Sequence, residues 1–495
     1  MHVHFVGVAG TGMGALAALF REAGHDVSGS DTAFDPPIGP MLASIGVRCI
    51  DGYSAKSLAP RPDLVVVGNV ISRVNPEAAE VLRLGLKQTS MSAALRESFL
   101  ANRRPLVVAG THGKTTTSAM CAWILARAEL EPGWFIGGLP KNLPSGAAIG
   151  STRRKLVSAG ASRASRAPFV VEGDEYDAVY WHKQPKFLDY IGVGEDDVAI
   201  VTSVEHDHID IYPDVASYEA AFRVFVRAVP AKGILVCDAR DARLRAILDE
   251  EELRARVVFY ALAGDDTGSV TPTWLGAPSD PAGAQPFDLF AGGVSCGRFT
   301  MRVPGAHNVR NALAAIAACA EGFGVSIRAM RAPLAGFEGV RRRQDLIGEP
   351  GGVRVYDDFA HHPTAVGETL RALRARHPTG RLWAVFEARS ATAVRSIHQH
   401  DYVSAFAAAD EILLAPLGRA NVPEGERLDL EKLAREIGSK AHTMASVDAT
   451  LARLVDGVSS GDTVALLSNG AFGGIHASLL GRLAAKRGGD ANVER

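Results

Sequence analysis

The sequence lacks the features that mark secreted, membrane-spanning or nucleic-acid-binding proteins. Its five cysteines are scattered singly, without a CxxC pair or a zinc spacing, and so sparse a set is typical of a reducing cytoplasm. No apolar run approaches the roughly 20 residues that a membrane span needs, and the first residues lack the charged segment of a signal peptide. Lysine and arginine number 53 against 55 aspartates and glutamates, so no basic field indicates nucleic acid as a partner. We therefore expect a soluble, cytoplasmic protein.

The chain is long enough for several domains. Its 495 residues correspond to about three domains at roughly 150 residues each, and an apolar fraction of 47% supplies ordinary hydrophobic cores. Short apolar runs alternate with helical periods, which is typical of parallel β-sheets covered by helices. The pattern breaks twice, and we predict an α/β fold with domains over residues 1–103, 104–336 and 337–495. Residues 151–168 are basic and small, and they predict a surface loop.

The strongest motif is GTHGKTTT at residues 110–117, which follows a predicted strand and opens a predicted helix. Backbone N–H groups in such a turn, together with the helix N-terminus, form a cradle for phosphate oxygens. Lys114 is placed to reach the β- and γ-phosphates, and the Thr115 hydroxyl to reach Mg²⁺. A glycine turn that merely precedes a helix is the alternative, since Val108 replaces the first glycine of the full P-loop pattern. We predict a nucleoside triphosphate site formed by Gly110, Thr111, His112, Gly113, Lys114, Thr115 and Thr116.

A second glycine-rich turn, GVAGTGMG at residues 7–14, also lies between a strand and a helix, and Asp31 follows a second short strand. Such a turn can bind either the pyrophosphate of a dinucleotide or the diphosphate of a nucleotide sugar, because a helix N-terminus recognises only the anion. Glycines that only allow close packing are the structural alternative. The motif alone does not choose among the three.

Two acidic clusters end predicted strands: EGDEYD at residues 172–177 and EHDHID at residues 205–210. In an open α/β sheet, ligands bind at the carboxyl ends of the strands, where the P-loop also lies. Carboxylate and imidazole ligands there suit a Mg²⁺ or Mn²⁺ ion that bridges nucleotide phosphates. Charged residues of solvated loops are the alternative for any single member.

Three further motifs lie downstream. HNVRN at residues 307–311 places Asn308 and Asn311 on one helix face, where their amides contact a purine ring or, as we favour, satisfy backbone groups. The run RRR at residues 341–343 is either a solvated face or stabilises charge during phosphoryl transfer. YDDFAHHP at residues 356–363 ends a strand and is rich in titratable groups, with a buried cap before a helix as its structural alternative.

Taken in order, GTHGKTTT, EGDEYD, EHDHID, HNVRN, RRR and YDDFAHHP resemble the motifs of the Mur ligase family over nearly the whole chain. That family consists of ATP-dependent, amide-forming enzymes of peptidoglycan synthesis, so the resemblance implies an ADP-forming ligase. It implies Rossmann-like N-terminal and C-terminal domains around a P-loop ATPase-like central domain. These would bind UDP-N-acetylmuramate, the peptide substrate and ATP with Mg²⁺ (or Mn²⁺), respectively. ATP would activate the muramoyl carboxylate as an acyl phosphate, which the amine of the acceptor then attacks.

The resemblance also implies roles for individual residues. Those expected in catalysis are Lys114, Glu172, His208, Arg343 and Asp358. Those expected to join the P-loop in binding ATP are Asn308, Asn311, Arg343 and Asp358, and the expected metal ligands are Thr115, Glu172, Glu175 and His208. The expected UDP-sugar site includes Gly7, Gly10, Thr11, Gly12, Met13, Asp31 and Ser72. No lysine lies between Lys186 and Lys232, so the carbamylated lysine of many Mur ligases is not predicted.

Some stretches of the sequence resemble particular branches of the Mur ligase family and so narrow the choice of acceptor substrate. GVAGTGMG with SGSD at residues 28–31 resembles the branches that act on UDP-N-acetylmuramate. FEARS at residues 386–390 and SNGAFGGIH at residues 468–476 resemble the branch that attaches the tripeptide L-alanyl-γ-D-glutamyl-meso-diaminopimelate in peptidoglycan recycling. Three residues depart from that pattern: Gly173, Ala388 and Ala471. Peptide contacts are expected at His361, His362, Arg389, Ser390, Thr392 and Asn469.

Three alternatives stay open at this point. The nearest is the Mur ligase that adds L-alanine to UDP-N-acetylmuramate. An NAD-dependent oxidoreductase that uses residues 7–14 would leave the P-loop and the acidic clusters unexplained. A non-catalytic ATP-binding regulator would not need all of the acidic, amide and basic motifs. We expect a monomer or homodimer without a nucleic-acid partner or a membrane span.

Overall fold

The structure, a computed structural model, describes residues 1–151, 166–280, 285–419 and 422–490. The surface loop predicted over residues 151–168 lies, apart from its ends, outside the described residues. Within them, strands and helices alternate along the chain, and the strands form four sheets. The predicted α/β class is therefore confirmed. In the described part of the chain, no helix is both long enough and apolar enough to span a bilayer.

The N-terminal part forms a five-stranded parallel sheet with helices between the strands. Its elements are β1 (His2–Val6), α1 (Thr11–Glu22), β2 (Asp26–Asp31), α2 (Ile38–Ser44), β3 (Arg48–Asp51), β4 (Leu64–Val67), α3 (Pro76–Arg83), β5 (Gln88–Ser90) and α4 (Met91–Leu95). Val3 and Phe5 of β1 and Leu16 and Phe20 of α1 are fully buried, which explains why the helix packs on this strand. The strand order β3-β2-β1-β4-β5 reverses at β1, so the turn after β1 opens at a crevice where α/β sheets bind ligands.

The central part is built on a ten-stranded sheet with the order β17-β16-β15-β14-β13-β12-β6-β9-β7-β8 and a separate hairpin, β10-β11. Its strands are β6 (Arg104–Ala109), β7 (Gly133–Phe135), β8 (Ala147–Ala148), β9 (Pro168–Glu172), β10 (Asp177–Val179), β11 (His182–Pro185), β12 (Val198–Val201), β13 (Ile234–Asp238), β14 (Arg256–Leu262), β15 (Trp274–Pro278), β16 (Phe287–Ala291) and β17 (Val294–Phe299). Its helices are α5 (Lys114–Arg127), α6 (Phe187–Tyr190), α7 (Val215–Ala228), α8 (Ala242–Glu250), α9 (Ala306–Ala317) and α10 (Ile327–Ala335). Strand β6 is buried along nearly its whole length, because helices cover both faces of the sheet.

The C-terminal part forms a six-stranded sheet with the order β18-β19-β23-β20-β21-β22, in which only β18 is antiparallel to its neighbour. Its elements are β18 (Asp345–Gly348), β19 (Arg354–Asp358), α11 (Pro363–Arg376), β20 (Leu382–Phe386), α12 (Asp401–Ala405), β21 (Glu411–Leu414), α13 (Leu430–Ile437), β22 (Ala441–Thr443), α14 (Val447–Gly457), β23 (Thr463–Leu467) and α15 (Ile475–Asp490). Short 3₁₀ turns lie at Ala55–Leu58, Pro350–Gly352, Ser396–His398, Glu424–Glu426 and Phe472–Gly474, and π-helical turns at Arg96–Leu100 and Ala318–Gly322.

Three neighbouring strands of the central sheet bring the predicted motifs together. In the order β12-β6-β9, the P-loop follows β6, while the two acidic clusters follow β12 and β9. All three strands are parallel, so their carboxyl ends meet at one edge of the sheet. The predicted convergence of P-loop and acidic clusters at one edge is therefore observed.

Candidate active site

The P-loop has the backbone that a phosphate cradle requires. Gly110 and Gly113 lie in the left-handed region, with φ of +124° and +81°. A Cβ atom at Gly110 would strike the hydroxyl of Thr202, and one at Gly113 would strike the side-chain oxygen of Asn311. Only glycine fits these positions, so the loop wraps closely in front of α5, and the N–H groups of Thr111 and His112 are held by Ser203.

Lys114, the first residue of α5, folds back over the loop. Its Nζ donates to the carbonyl oxygen of Gly110 at 2.6 Å and lies 2.8 Å from Oε2 of Glu175. Burial alone would lower the pKa of Lys114, but the Glu175 carboxylate outweighs it and raises this pKa. The P-loop therefore holds a permanent cation.

Glu175 also binds His208, whose Nε2 lies 2.7 Å from Oε1 of the carboxylate. Burial opposes the charged imidazolium, yet Glu175 raises the pKa of His208 to about 9. For the carboxyl, burial is outweighed by Lys114 and His208, which lower the pKa of Glu175. At neutral pH the three groups are thus two cations around one carboxylate, and His208 is a hydrogen-bond donor rather than a base.

Thr115 and Glu172 form a second pair beside the first. The Thr115 hydroxyl donates to Oε1 of Glu172 at 2.7 Å, and the backbone N–H of Gly137 donates to Oε2 at 2.7 Å. Burial raises the pKa of Glu172. The four predicted metal ligands therefore divide into an oxygen pair, Thr115 with Glu172, and the ion pair of Glu175 with His208. The oxygen pair fits the preference of Mg²⁺ for one or two protein oxygens beside phosphate.

The segment that leads into the C-terminal sheet reaches this site from the opposite side. Nη2 of Arg343 donates to the Thr115 hydroxyl at 3.4 Å, and the guanidinium lies 5.0 Å from the ring centroid of Phe359. Asp358, at the end of β19, accepts backbone N–H bonds from Gln344 and Ala360, both at 2.7 Å. Burial raises the pKa of Asp358. Both predicted residues therefore lie at the junction of the central and C-terminal parts.

Asn308 and Asn311 lie on the buried face of α9, as the spacing predicts. The Asn308 amide donates to the carbonyl oxygen of Pro304 at 2.7 Å, and the Asn311 amide donates to Oδ1 of Asn308 at 3.3 Å. The bond of Asn308 is to a backbone group, which is the use that the sequence favours, whereas the bond of Asn311 is to another side chain. Asn311 also lines a cavity of about 380 Å³ beside the P-loop, together with Asp238, Tyr260, His307 and Arg310.

The N-terminal glycine turn lies at the carboxyl end of β1, as expected. Gly7 has a φ of +87°, and Gly10 caps α1, which starts with Thr11 and Gly12. Oδ2 of Asp31 accepts the backbone N–H of Ala9 at 2.8 Å, so this carboxylate fixes the turn. Two of the predicted residues differ in exposure: Met13 is buried, whereas Ser72 is exposed on the loop after β4.

The six predicted peptide contacts do not form one cluster with the same exposure. His361 and Thr392 lie next to the acidic cluster after β12: Nε2 of His361 is 3.8 Å from Oδ2 of Asp207, and Thr392 accepts the N–H of Ile209. The remaining candidates have other local contacts. His362 and Ser390 accept backbone N–H bonds at 3.4 and 3.0 Å, Oδ1 of Asn469 is buried without a hydrogen bond to the described residues, and the Arg389 side chain is 46% exposed.

His362 is the N-cap of α11, as the structural alternative for this motif predicts. Its Nδ1 accepts the backbone N–H of Thr364 at 3.4 Å, and the ring is 4% exposed. Burial, aided by the neighbouring His112, lowers the pKa of His362 to about 3, so the imidazole is neutral.

Glu205 is a site residue to which the sequence reasoning assigns no role. Its Oε2 lies 2.7 Å from Nε2 of His112 in the P-loop, and its Oε1 accepts the hydroxyl of Thr364 at 2.8 Å. Burial is outweighed by His112, which lowers the pKa of Glu205 to about 2. Its position at a strand end was the available signal. The hydrogen bond from the backbone N–H of Gly137 to Glu172 had no such signal in the sequence, because almost every residue carries that N–H group.

Comparison with known proteins gives the same three-part division. The chain matches the Mur ligase family catalytic domain over residues 2–103, the Mur ligase middle domain over 108–319 and the Mur ligase glutamate ligase domain over 342–470. It is 36% identical to the UDP-N-acetylmuramate–L-alanyl-γ-D-glutamyl-meso-2,6-diaminoheptandioate ligase of Escherichia coli (strain K12), over 98% of this chain and 99% of that protein. The chain belongs to the Mur ligase family. As a Mur ligase it is an ATP-dependent, amide-forming enzyme, which confirms the predicted family and enzyme class, so we set aside the oxidoreductase and the non-catalytic regulator.

The chain is similar to members of two branches of the Mur ligase family, the tripeptide-adding and the L-alanine-adding ligases. The crystal structure of a murein peptide ligase from Psychrobacter arcticus is 33% identical, with a TM-score of 0.72, over 98% of this chain and 99% of that one. The UDP-N-acetylmuramate–L-alanine ligase of Roseiflexus castenholzii is 36% identical, but over 77% of this chain and 76% of that protein. Another L-alanine ligase, that of Chloroflexus aggregans, is 34% identical over 97% of this chain and 98% of that protein, so both branches are similar over nearly the whole chain.

Proposed function

We propose that this Mur ligase joins the tripeptide L-alanyl-γ-D-glutamyl-meso-diaminopimelate to UDP-N-acetylmuramate with cleavage of ATP, in peptidoglycan recycling in the cytoplasm. The observation that most supports this proposal is the charged cluster of Lys114, Glu175 and His208, which lies beside the oxygen pair of Thr115 and Glu172. That arrangement is suited to gathering anions at the P-loop. For the acceptor, the proposal is supported by the ligases named for the tripeptide, which are 36% and 33% identical over 98% of this chain.

The three parts of the chain take one substrate each in this proposal. Residues 1–103 bind UDP-N-acetylmuramate, with the diphosphate at the glycine turn after β1. Residues 104–336 bind ATP at the P-loop, with the nucleoside in the adjoining cavity of about 380 Å³. Residues 337–495 bind the tripeptide. Two substrates and ATP thus meet at one edge of the central sheet.

Thr115 and Glu172 are the residues that would hold Mg²⁺, because they offer oxygen atoms next to the P-loop. When bound, this ion supplies positive charge against the phosphate oxygens. Lys114 turns from Glu175 to the phosphates, and Arg343 approaches the same place from the C-terminal side. The muramoyl carboxylate then attacks the γ-phosphorus, which gives the acyl phosphate and ADP.

The second step needs a base for the ammonium group of the tripeptide, and His361 is best suited to it. Its Nδ1 lies 3.0 Å from the carbonyl oxygen of Phe359, which only accepts, so Nδ1 carries the proton and Nε2 has the lone pair. Burial lowers the pKa of His361, which keeps the ring neutral. His208, by contrast, is already protonated and donates hydrogen bonds. The freed amine attacks the acyl carbon, and phosphate leaves.

The second candidate function is addition of L-alanine to UDP-N-acetylmuramate, which the 36% identity to an L-alanine ligase favours. The test measures phosphate release from ATP with UDP-N-acetylmuramate, comparing the tripeptide with L-alanine as acceptor. We expect turnover with the tripeptide and little with L-alanine. Turnover with L-alanine alone would overturn the proposed acceptor and retain the chemistry.

A further inference from the structure

Three side chains with metal-binding atoms meet beside the P-loop, and no step of the proposed reaction is assigned to any of these side chains. They come from separate segments: His112 precedes α5, Glu205 follows β12 and His362 caps α11. One potential ligand atom from each lies within 4.8 Å of the others. Residues far apart in the sequence therefore form one compact set of donors.

The distances between the potential ligand atoms lie on either side of the spacing that ligands have around a tetrahedrally coordinated ion. Nε2 of His112 lies 2.7 Å from Oε2 of Glu205, and Nδ1 of His362 lies 3.9 Å from Oε1 of the same carboxylate. Metal bonds of about 2.0–2.1 Å in a tetrahedron separate the ligand atoms by about 3.3 Å.

The two imidazoles are placed to act as ligands rather than as solvent-exposed charges. Their ring centroids are 4.9 Å apart, and the His362 ring is 4% exposed. The His362 nitrogen that faces Glu205 is Nδ1, which also accepts the backbone N–H of Thr364 at 3.4 Å, so a bound ion would replace that contact. His112 and Glu205 also line the cavity beside the P-loop, which gives an ion a route of entry.

We propose that His112, Glu205 and His362 form a transition-metal site of the zinc class that links the P-loop to the C-terminal part of the chain. Two imidazoles and one carboxylate are typical ligands of Zn²⁺ and unlike the all-oxygen sets of Mg²⁺. The site is separate from the Thr115 and Glu172 pair.

The test uses the full chain freed of metal by a chelator, and it measures zinc affinity by competition with a chromophoric chelator in millimolar Mg²⁺. His362→Asn and Glu205→Gln remove one ligand each, and asparagine still caps α11, so the fold is expected to survive. We expect one zinc ion per wild-type chain and at least about 10-fold weaker binding in both variants. His361→Asn is the matched control, since it alters the neighbouring imidazole, and it should bind zinc as the wild type does.

A second readout tests the link between the two parts of the chain. Zinc should raise the thermal unfolding temperature of the wild type and of His361→Asn, but not of His362→Asn. Zinc affinity that is unchanged in His362→Asn and Glu205→Gln, or equally reduced in His361→Asn, would overturn the site. So would displacement of zinc by Mg²⁺ at equal concentration. These measurements need no turnover, so their outcome is independent of the proposed ligase reaction.

Discussion

In the absence of nucleotide, the ammonium group of Lys114 already makes two polar contacts within the protein. Its ammonium group binds Gly110 and the Glu175 carboxylate, so a phosphate oxygen must displace both contacts. Displacement is favourable only if the incoming group is at least as anionic as a carboxylate. The residue therefore selects for polyphosphates over neutral ligands.

Lys114→Met should reduce ATP-dependent ligation by at least about 100-fold, because it removes the only side-chain cation described on the P-loop turn. Phosphate release under saturating substrates measures this loss, and circular dichroism should show the wild-type fold. Lys183→Met is the control: its side chain is 63% exposed and pairs with Asp177 away from the P-loop. Near-normal ligation by the Lys114 variant would contradict the assignment.

Glu175→Gln should lower the pKa of His208 well below about 9, because burial and Lys114 are then opposed by the more distant carboxylate of Asp207 without that of Glu175. The sign follows from the charge that is removed: an anion stabilises the imidazolium, and an amide does not. NMR titration of the His208 ring protons measures the change. The wild type should stay protonated up to about pH 9, and a variant that does the same would refute this account of the cluster.

At the scale of elements, the sequence predicts the strands well and their spatial partners poorly. Continuous apolar runs that end at charged or polar residues predict strands over residues 168–172 and 463–467, and the structure has strands with these bounds. The apolar run over residues 198–204 also predicts a strand, but the observed strand ends at Val201. Thr202 and Ser203 leave the sheet because their hydroxyls bind the backbone of His112, at 2.5 and 3.1 Å.

The pairs of the candidate site could not be predicted from local pattern. Lys114 with Glu175, and His112 with Glu205, join residues about 60 and 90 positions apart, and their distances depend on how the loops fold beyond the strand ends. The family resemblance supplies residue types at these positions, but not which of them bind each other.

Gly113→Ala tests the turn at the start of α5. The substitution places a Cβ against Asn311 and forces an L residue into the left-handed region, so we expect a loss of more than about 1 kcal/mol in unfolding free energy. Urea denaturation measures it. Gly24→Ala has a similar φ, +84°, but open space around the added carbon, and should cost less. Equal losses would show that backbone strain alone, and not the close approach to Asn311, restricts Gly113.

At the scale of the whole molecule, charged side chains carry several of the contacts between the central part and the C-terminal part. Lys141, between β7 and β8, lies 2.5 Å from Oδ1 of Asp345 at the start of β18. Arg343 reaches Thr115, and Thr364 reaches Glu205. The C-terminal part is therefore held directly over the P-loop.

Asp345→Ala should loosen that attachment, because it leaves Lys141 without its counter-charge. We expect a loss of about 2 kcal/mol in unfolding free energy and faster proteolysis of residues 336–344. Arg341→Ala is the control, since Arg341 approaches the same carboxylate at 3.7 Å but is 60% exposed, and it should change neither quantity measurably. Unchanged proteolysis of the Asp345 variant would mean that other contacts suffice.

The contacts of Arg343 and Thr364 with the P-loop region have a consequence for the chain during its synthesis. A nascent polypeptide that has left the ribosome only as far as residue 336 already contains Lys114, Glu172 and Glu175, and its central sheet is complete. It lacks Arg343, Asp358 and His361, which arrive with the last third of translation. If the proposed site roles are correct, we expect such an unfinished chain to lack ligase activity, because the residues that face the P-loop from the C-terminal part are still missing.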